Sequence, residues 1–141
     1  MNKKRTALAL ISGMGALFLA MHKQAVASGN VSEAGEVYAR AQRVISRNGL
    51  NADPLMVTAM AKIESAFDPS AVRIEPHLND SSVGLMQTLQ NTAQWLARDF
   101  PKYGAYGIPS YSDLLNPDIS IYFGACYIDY LSNYRGIPRS E

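Results

Sequence analysis

The chain has 141 residues, enough for one domain and little else, and its 48% apolar and 18% charged residues exclude a disordered chain. Formal net charge is +1, but Lys3, Lys4 and Arg5 lie at the extreme N-terminus, so the remainder is slightly acidic and a nucleic-acid partner has no electrostatic footing. A single cysteine excludes an intramolecular disulfide, and two scattered histidines do not group into a metal centre, so no metal or other cofactor is expected.

Met1 to Ala27 reads as a targeting segment. Asn2-Lys3-Lys4-Arg5 is basic, Ala7 to Met21 is uncharged and largely apolar, and Ala25-Val26-Ala27 supplies the small residues of a cleavage site. The apolar run falls short of the ~20 residues a spanning helix needs. A cleaved secretory signal is the favoured reading, which would export the domain to the periplasm or beyond. An uncleaved membrane anchor and an organellar transit sequence are the alternatives. Membrane contact is expected only through this segment. Residues 30–141 contain no repeat or dividing linker and read as one domain.

A first helix is predicted from Ser32 to Asn48. Asn30 and Glu33 have capping-box spacing, Val37, Tyr38, Ala41, Val44 and Ile45 form an apolar stripe, and Gly49 is the stop. The second helix opens on Asp53-Pro54, a cap followed by a first-turn proline, and is expected to end at Asp68-Pro69. Its stripe of Val57, Met60, Ala61, Glu64 and Phe67 is interrupted by a carboxyl group in the last turn. Burial and the helix dipole would both disfavour the charged form of Glu64, the condition under which a carboxyl group serves as an acid on a sugar–sugar bond.

Ser70 to Val83 is polar and turn-rich, with Arg73, Glu75, His77 and Asp80, and fits a short hairpin or an irregular loop. Gly84-Leu85-Met86-Gln87 follows. Its glycine would let backbone approach a ligand closely, and its glutamine offers donor and acceptor to sugar hydroxyls and acetamides. A short helix from Asn91 to Asp99 carries Trp95 and Leu96. The loop from Phe100 to Ser112 is rich in tyrosine, glycine and proline; Tyr103, Tyr106 and Tyr111 would serve either to stack on sugars or to pack the loop.

Asn116-Pro117 opens the last helix. Ile119, Tyr122, Phe123, Cys126, Tyr127, Tyr130 and Tyr134, widened by Ile121, Ala125 and Ile128, make it apolar over most of its girth, as a central core helix would be. Cys126 reads there as a small buried apolar residue. The predicted fold class is mainly α, with four to five helices and a small irregular or β element.

Several of these residues recur together in a known family. Ala61-Lys62-Ile63-Glu64-Ser65-Ala66-Phe67-Asp68-Pro69-Ser70-Ala71-Val72, then Gly84-Leu85-Met86-Gln87, Thr92-Ala93, and Leu115-Asn116-Pro117 leading to Ile121, Gly124-Ala125 and Tyr127, resemble the lytic transglycosylase (SLT-type) domain of the lysozyme-like superfamily. The resemblance covers about Leu55 to Leu131 in order and spacing. It implies an α+β lysozyme-like fold and, as partner, the glycan strands of peptidoglycan. Glu64 would be the sole catalytic acid/base at the bond between N-acetylmuramic acid and N-acetylglucosamine, yielding a 1,6-anhydro product. Ser65 would support Glu64, and Gly84, Leu85, Met86, Gln87 and Tyr127 would contact substrate, with no metal.

The chain departs from the family pattern in two places. Ser81-Ser82-Val83 stands where small residues of the type Gly-Ala-x are usual. The sequence given stops at Arg139-Ser140-Glu141, near where an Ala-Tyr-Asn motif is expected, so the C-terminal part of the usual domain is expected to be missing. Two other readings share the fold. One is a hydrolytic muramidase in which Glu75 or Asp80 activates water; the other is a peptidoglycan-binding protein without turnover.

Overall fold

A computed structural model describes residues 32–134. The expectations for Met1 to Ala27, Asn30, the side chain of Tyr134 and the C-terminal Arg139 to Glu141 lie outside the described residues. The described residues form five α-helices and a three-stranded sheet in the order α1 (Glu33–Asn48), α2 (Pro54–Ser65), β1 (Val72–Glu75), β2 (Asp80–Val83), β3 (Thr88–Leu89), α3 (Gln90–Asp99), α4 (Tyr111–Leu114) and α5 (Pro117–Tyr134). Short 3₁₀ turns occupy Pro76–Leu78 and Pro101–Tyr103. The mainly α class with a small β element is the one expected.

Local chemistry sets most boundaries. The cap of α1 is Ser32, whose hydroxyl accepts from Gly35 N–H at 3.2 Å. Gly49 ends this helix in the left-handed region at φ 58°, as anticipated, and Leu50 N–H returns to Ile45 O at 3.1 Å. Asp53 caps α2 by accepting from Leu55 N–H at 2.8 Å, with Pro54 in the first turn. That helix stops earlier than Asp68-Pro69 implies. Ala66 and Phe67 turn at φ 53° and 69°, and Phe67 N–H reaches Ala61 O at 3.3 Å, a Schellman closure built without glycine.

The polar stretch after α2 is a hairpin. β1 and β2 pair antiparallel with Val72 opposite Val83 and Arg73 opposite Ser82, and β2 pairs with β3 to give the order β1-β2-β3. Residues 120–126 are buried without interruption, so α5 is the central helix. Val37, Ala41, Val44 and Ile45 of α1, Val57 and Ala61 of α2, and Ala93 and Leu96 of α3 complete the core. Trp95, Phe100 and Tyr130 meet edge to face at its rim, with ring centroids 4.9–5.2 Å apart. Cys126 is fully buried, and burial pushes its thiol up to about 12. No described helix is long and apolar enough to cross a membrane.

One buried carboxylate joins the pieces. Asp129 of α5, fully enclosed, accepts from Tyr103 Oη at 2.9 Å, Lys102 Nζ at 2.5 Å, Asn51 N–H at 3.1 Å and Asn133 Nδ2 at 2.8 Å. Burial alone would raise its pKa. The hydrogen bonds from Lys102, Tyr103 and Asn51, together with the Lys102 charge, outweigh that and leave it below the ordinary carboxylate value. Of the two readings for Tyr103, stacking on sugars or packing the loop, its full burial leaves the second.

Two outcomes follow for stability. With its folded pKa depressed, Asp129 contributes stability above the unfolded carboxylate value near ~3.9 and loses it as pH falls through the folded value. Unfolding free energy in urea at successive pH values will therefore show an acid-side loss that Asp129→Asn lacks, and the variant will cost about 2–4 kcal/mol at pH 7. Gly84 has φ 76°, and a Cβ built there would stand 2.1 Å from Leu114 O. Gly84→Ala is expected to cost about 3 kcal/mol or more. Gly124→Ala places its Cβ 2.7–2.9 Å from Cβ, Cγ and Cε of Met86, a buried side chain that must shift from its root, and about 1–3 kcal/mol is expected on the same curves.

Candidate active site

Glu64 stands in the last turn of α2, one residue before the helix ends. Its side chain is exposed, which corrects the expectation that the apolar stripe would bury it. The inward face of α2 is Val57, Thr58 and Ala61, with half-buried Ser65 below them. Two of these are polar residues whose hydroxyls are satisfied within the helix: Thr58 donates to Pro54 O at 2.7 Å, and Ser65 lies 3.0 Å from Ala61 O. They can therefore face the core, and Glu64, about 60° from Ala61 around the axis, falls on the rim. The described residues provide no wall that keeps water from its carboxyl group.

Ser65 sets the position of Glu64 without touching its carboxyl group. Its Oγ sits 2.9 Å from Leu85 O as well as 3.0 Å from Ala61 O, so one hydroxyl joins the end of α2 to a turn twenty residues later. That turn is Gly84 to Gln87, closed by Gln87 N–H to Gly84 O at 3.1 Å. Gly84 N–H donates to Ala71 O at 2.8 Å, and Met86 N–H donates to Ser120 Oγ at 3.1 Å. The Met86 side chain lies against Gly124 of α5. The turn is thus fixed to α2, to the approach to β1 and to the central helix at once.

This packing revises what the turn can offer a ligand. Gly84 is buried, and its missing Cβ makes room for the Leu114 carbonyl rather than for a substrate. Leu85 and Met86 are 2% and 4% exposed, so their side chains belong to the core. Gln87, held at φ 46°, donates through Nε2 to Ala71 O at 2.9 Å and Gly84 O at 3.0 Å. Both amide hydrogens are engaged, which leaves its carbonyl oxygen as the group it can present. Tyr127 is exposed on α5, with its ring nearly parallel to Tyr130 at 6.4 Å.

The hairpin adds groups that the motifs did not single out. Arg73 and Glu75 form an ion pair on β1, and Ser82 Oγ donates to Glu75 at 3.3 Å. The Arg73 guanidinium, and then its own partial burial opposed by Ser82 and His77, leave the Glu75 carboxyl below its usual range. Asp80 accepts from the N–H groups of Ser81 at 2.7 Å and Asn91 at 3.1 Å, tying β2 to the first turn of α3. Both carboxylates considered for activating water are already hydrogen-bonded. The signal in the sequence was the Arg-x-Glu alternation of a strand, which places both side chains on one face.

Comparison with known proteins matches this arrangement to one family. The model of the Transglycosylase SLT domain aligns with residues 45–137. The chain is 38% identical over 82 residues to the Endo-type membrane-bound lytic murein transglycosylase A of Klebsiella pneumoniae subsp. pneumoniae, covering 57% of this chain and 36% of that protein. The protein of the same name from Salmonella enteritidis PT4 is 37% identical over the same length and the same shares. The chain thus spans little more than a third of the curated relatives it matches. With the family model covering well over half of its residues, from the last turn of α1 through α5, the chain belongs to the SLT transglycosylase domain family.

Proposed function

We propose that the chain is a peptidoglycan lytic transglycosylase that cleaves the β-1,4 bond between N-acetylmuramic acid and N-acetylglucosamine, with Glu64 as its single acid/base. The observation that carries this reading is the hydroxyl of Ser65 bound between Ala61 O and Leu85 O, which holds an exposed carboxyl group at a fixed place beside the Gly84–Gln87 turn. The relatives named above support the choice of substrate.

In the reaction, protonated Glu64 gives its proton to the glycosidic oxygen as the bond to C1 breaks. The resulting carboxylate then takes the proton of the C6 hydroxyl, whose oxygen closes onto C1. The product is a 1,6-anhydro sugar, no water is consumed, and no second carboxylate is required, unlike two-carboxylate hydrolysis. The engaged state of Glu75 and Asp80 favours this course over a water-activating one. Since Glu64 is exposed, the glycan strand itself supplies the covering that excludes water from the carboxyl group. The Gln87 carbonyl oxygen and the Tyr127 ring are the side-chain groups proposed to contact sugar, and Gly84, Leu85 and Met86 act by fixing the turn. The N-terminal segment, read as a secretory signal, would place the domain on the wall side of the membrane.

Mass spectrometry of products from purified sacculi tests the assignment. Anhydro ends, lighter than reducing ends by one water, are expected from the wild type; reducing ends alone would indicate hydrolysis. Glu64→Gln is expected to lower product release by about 10²–10⁴ while leaving wall binding intact. Binding without release by the wild type would instead identify a wall-binding protein. Ser65→Ala removes the tie without removing the acid, so kcat should fall about tenfold or more with a smaller change in KM, read from initial rates of soluble fragment release.

A further inference from the structure

Arg73 has no part in the chemistry above, yet the hairpin holds it as a binding group would be held. Side chains alternate along β1, so Arg73 and Glu75 share one face. Ser82 stands opposite Arg73 in the register and donates to Glu75, whose side chain is only 16% exposed. Glu75 in turn accepts from Arg73 Nε at 2.5 Å. The rest of the guanidinium projects outward: the Arg73 side chain is 62% exposed, and neither of its terminal amino groups has a partner among the described residues. β1 is an edge strand, so no other strand of the sheet covers it.

The guanidinium belongs to a hairpin that adjoins the Gly84–Gln87 turn, since Gly84 N–H donates to Ala71 O, one residue before β1. Its affinity for its proton is raised chiefly by Glu75 and, less strongly, by the charge of Glu64 at the end of α2. A planar fork of N–H donors, oriented from behind and open in front, matches a carboxylate in two-point geometry. Sugar hydroxyls can also accept from it, but an anionic acceptor gains most from its charge. In a murein strand the muramyl residue is the anionic one: its lactyl ether carries either a free carboxylate or a peptide with carboxylates of its own.

We propose that Arg73, oriented by Glu75 and Ser82 on the open edge of β1, is an anion site that binds a carboxylate borne on the lactyl or peptide side of the muramyl residue. This rests on the reading of the substrate given above. Arg73 would then select which muramyl residues of a strand lie across Glu64.

Co-sedimentation with insoluble murein tests this with the Glu64→Gln chain, which leaves strands uncut, so that binding is read separately from turnover. Three forms of wall are compared: peptide-bearing, amidase-stripped with free lactyl carboxylates, and carbodiimide-amidated without carboxylates. Adding Arg73→Gln is expected to weaken binding about three- to tenfold on a carboxylate-bearing wall and to leave binding to the amidated wall unchanged. Loss confined to the peptide-bearing form assigns the stem carboxylates, and loss that persists on stripped strands assigns the lactyl group; either sustains the site. Arg98→Gln removes the same charge from an arginine as exposed as Arg73, paired with Asp99, and should have no such effect. No loss, equal loss on the amidated wall, or equal loss from Arg98→Gln would overturn the proposal. Failure of the transglycosylase reading would show separately, as wild-type chain that binds wall and releases no anhydro product.

Discussion

A single hydroxyl holds the site together. Ser65 Oγ, between the carbonyls of Ala61 and Leu85, joins the end of the second helix to a turn that is itself fastened to α5 through Ser120 and Gly124. Without that tie the last turn of α2, which closes through two non-glycine residues at positive φ, would have little to fix its direction. With it, the backbone that carries the exposed Glu64 is fixed to the Gly84–Gln87 turn. The rigid part of the site is the backbone, and the acid is mounted on it.

This division accounts for the large share of apparent site residues that are core. The Gly-Leu-Met-Gln segment serves as the contact surface between the small sheet and the central helix. Gly84 yields to the Leu114 carbonyl, Met86 fills the space left by Gly124, and Gln87 spends its amide hydrogens on the chain's own carbonyls. Asp129 does comparable work elsewhere on α5, gathering the α1–α2 connection and the Lys102-Tyr103 turn onto it. On the hairpin Arg73 projects from the edge strand β1, held by the largely covered Glu75.

Much of this was legible in the residues, unevenly. Asp53-Pro54, Gly49 and Asn116-Pro117 marked helix ends because capping and proline chemistry act within a few residues. The central place of α5 followed from an apolar surface too wide for any other position. The end of α2 was placed too late, because Ala66 and Phe67 carry no local signal for positive φ, and tertiary contacts hold them there. Glu64 was placed on the buried face by a stripe that left out Thr58; the Thr58 hydroxyl bonds to Pro54 O within the helix, so that residue can face the core and the buried face lies to one side of Glu64. Gly84 stood out correctly as a glycine that must be glycine, but its neighbour is Leu114 rather than a ligand. Asp129 went unnoticed because a carboxylate in an apolar helix shows its partners only after folding brings Asn51, Lys102 and Tyr103 to it.

The proposed reaction requires a glycan strand to lie across the exposed end of α2, between Glu64 and the hairpin. Backbone amide NMR of the full chain titrated with soluble peptidoglycan oligosaccharide tests this directly. Shifts concentrated at Glu64 and Ser65, Ala71 to Arg73 and Gln87 are the predicted result. Shifts that spare these residues and gather elsewhere, or a spectrum that does not change at saturating sugar, would contradict it.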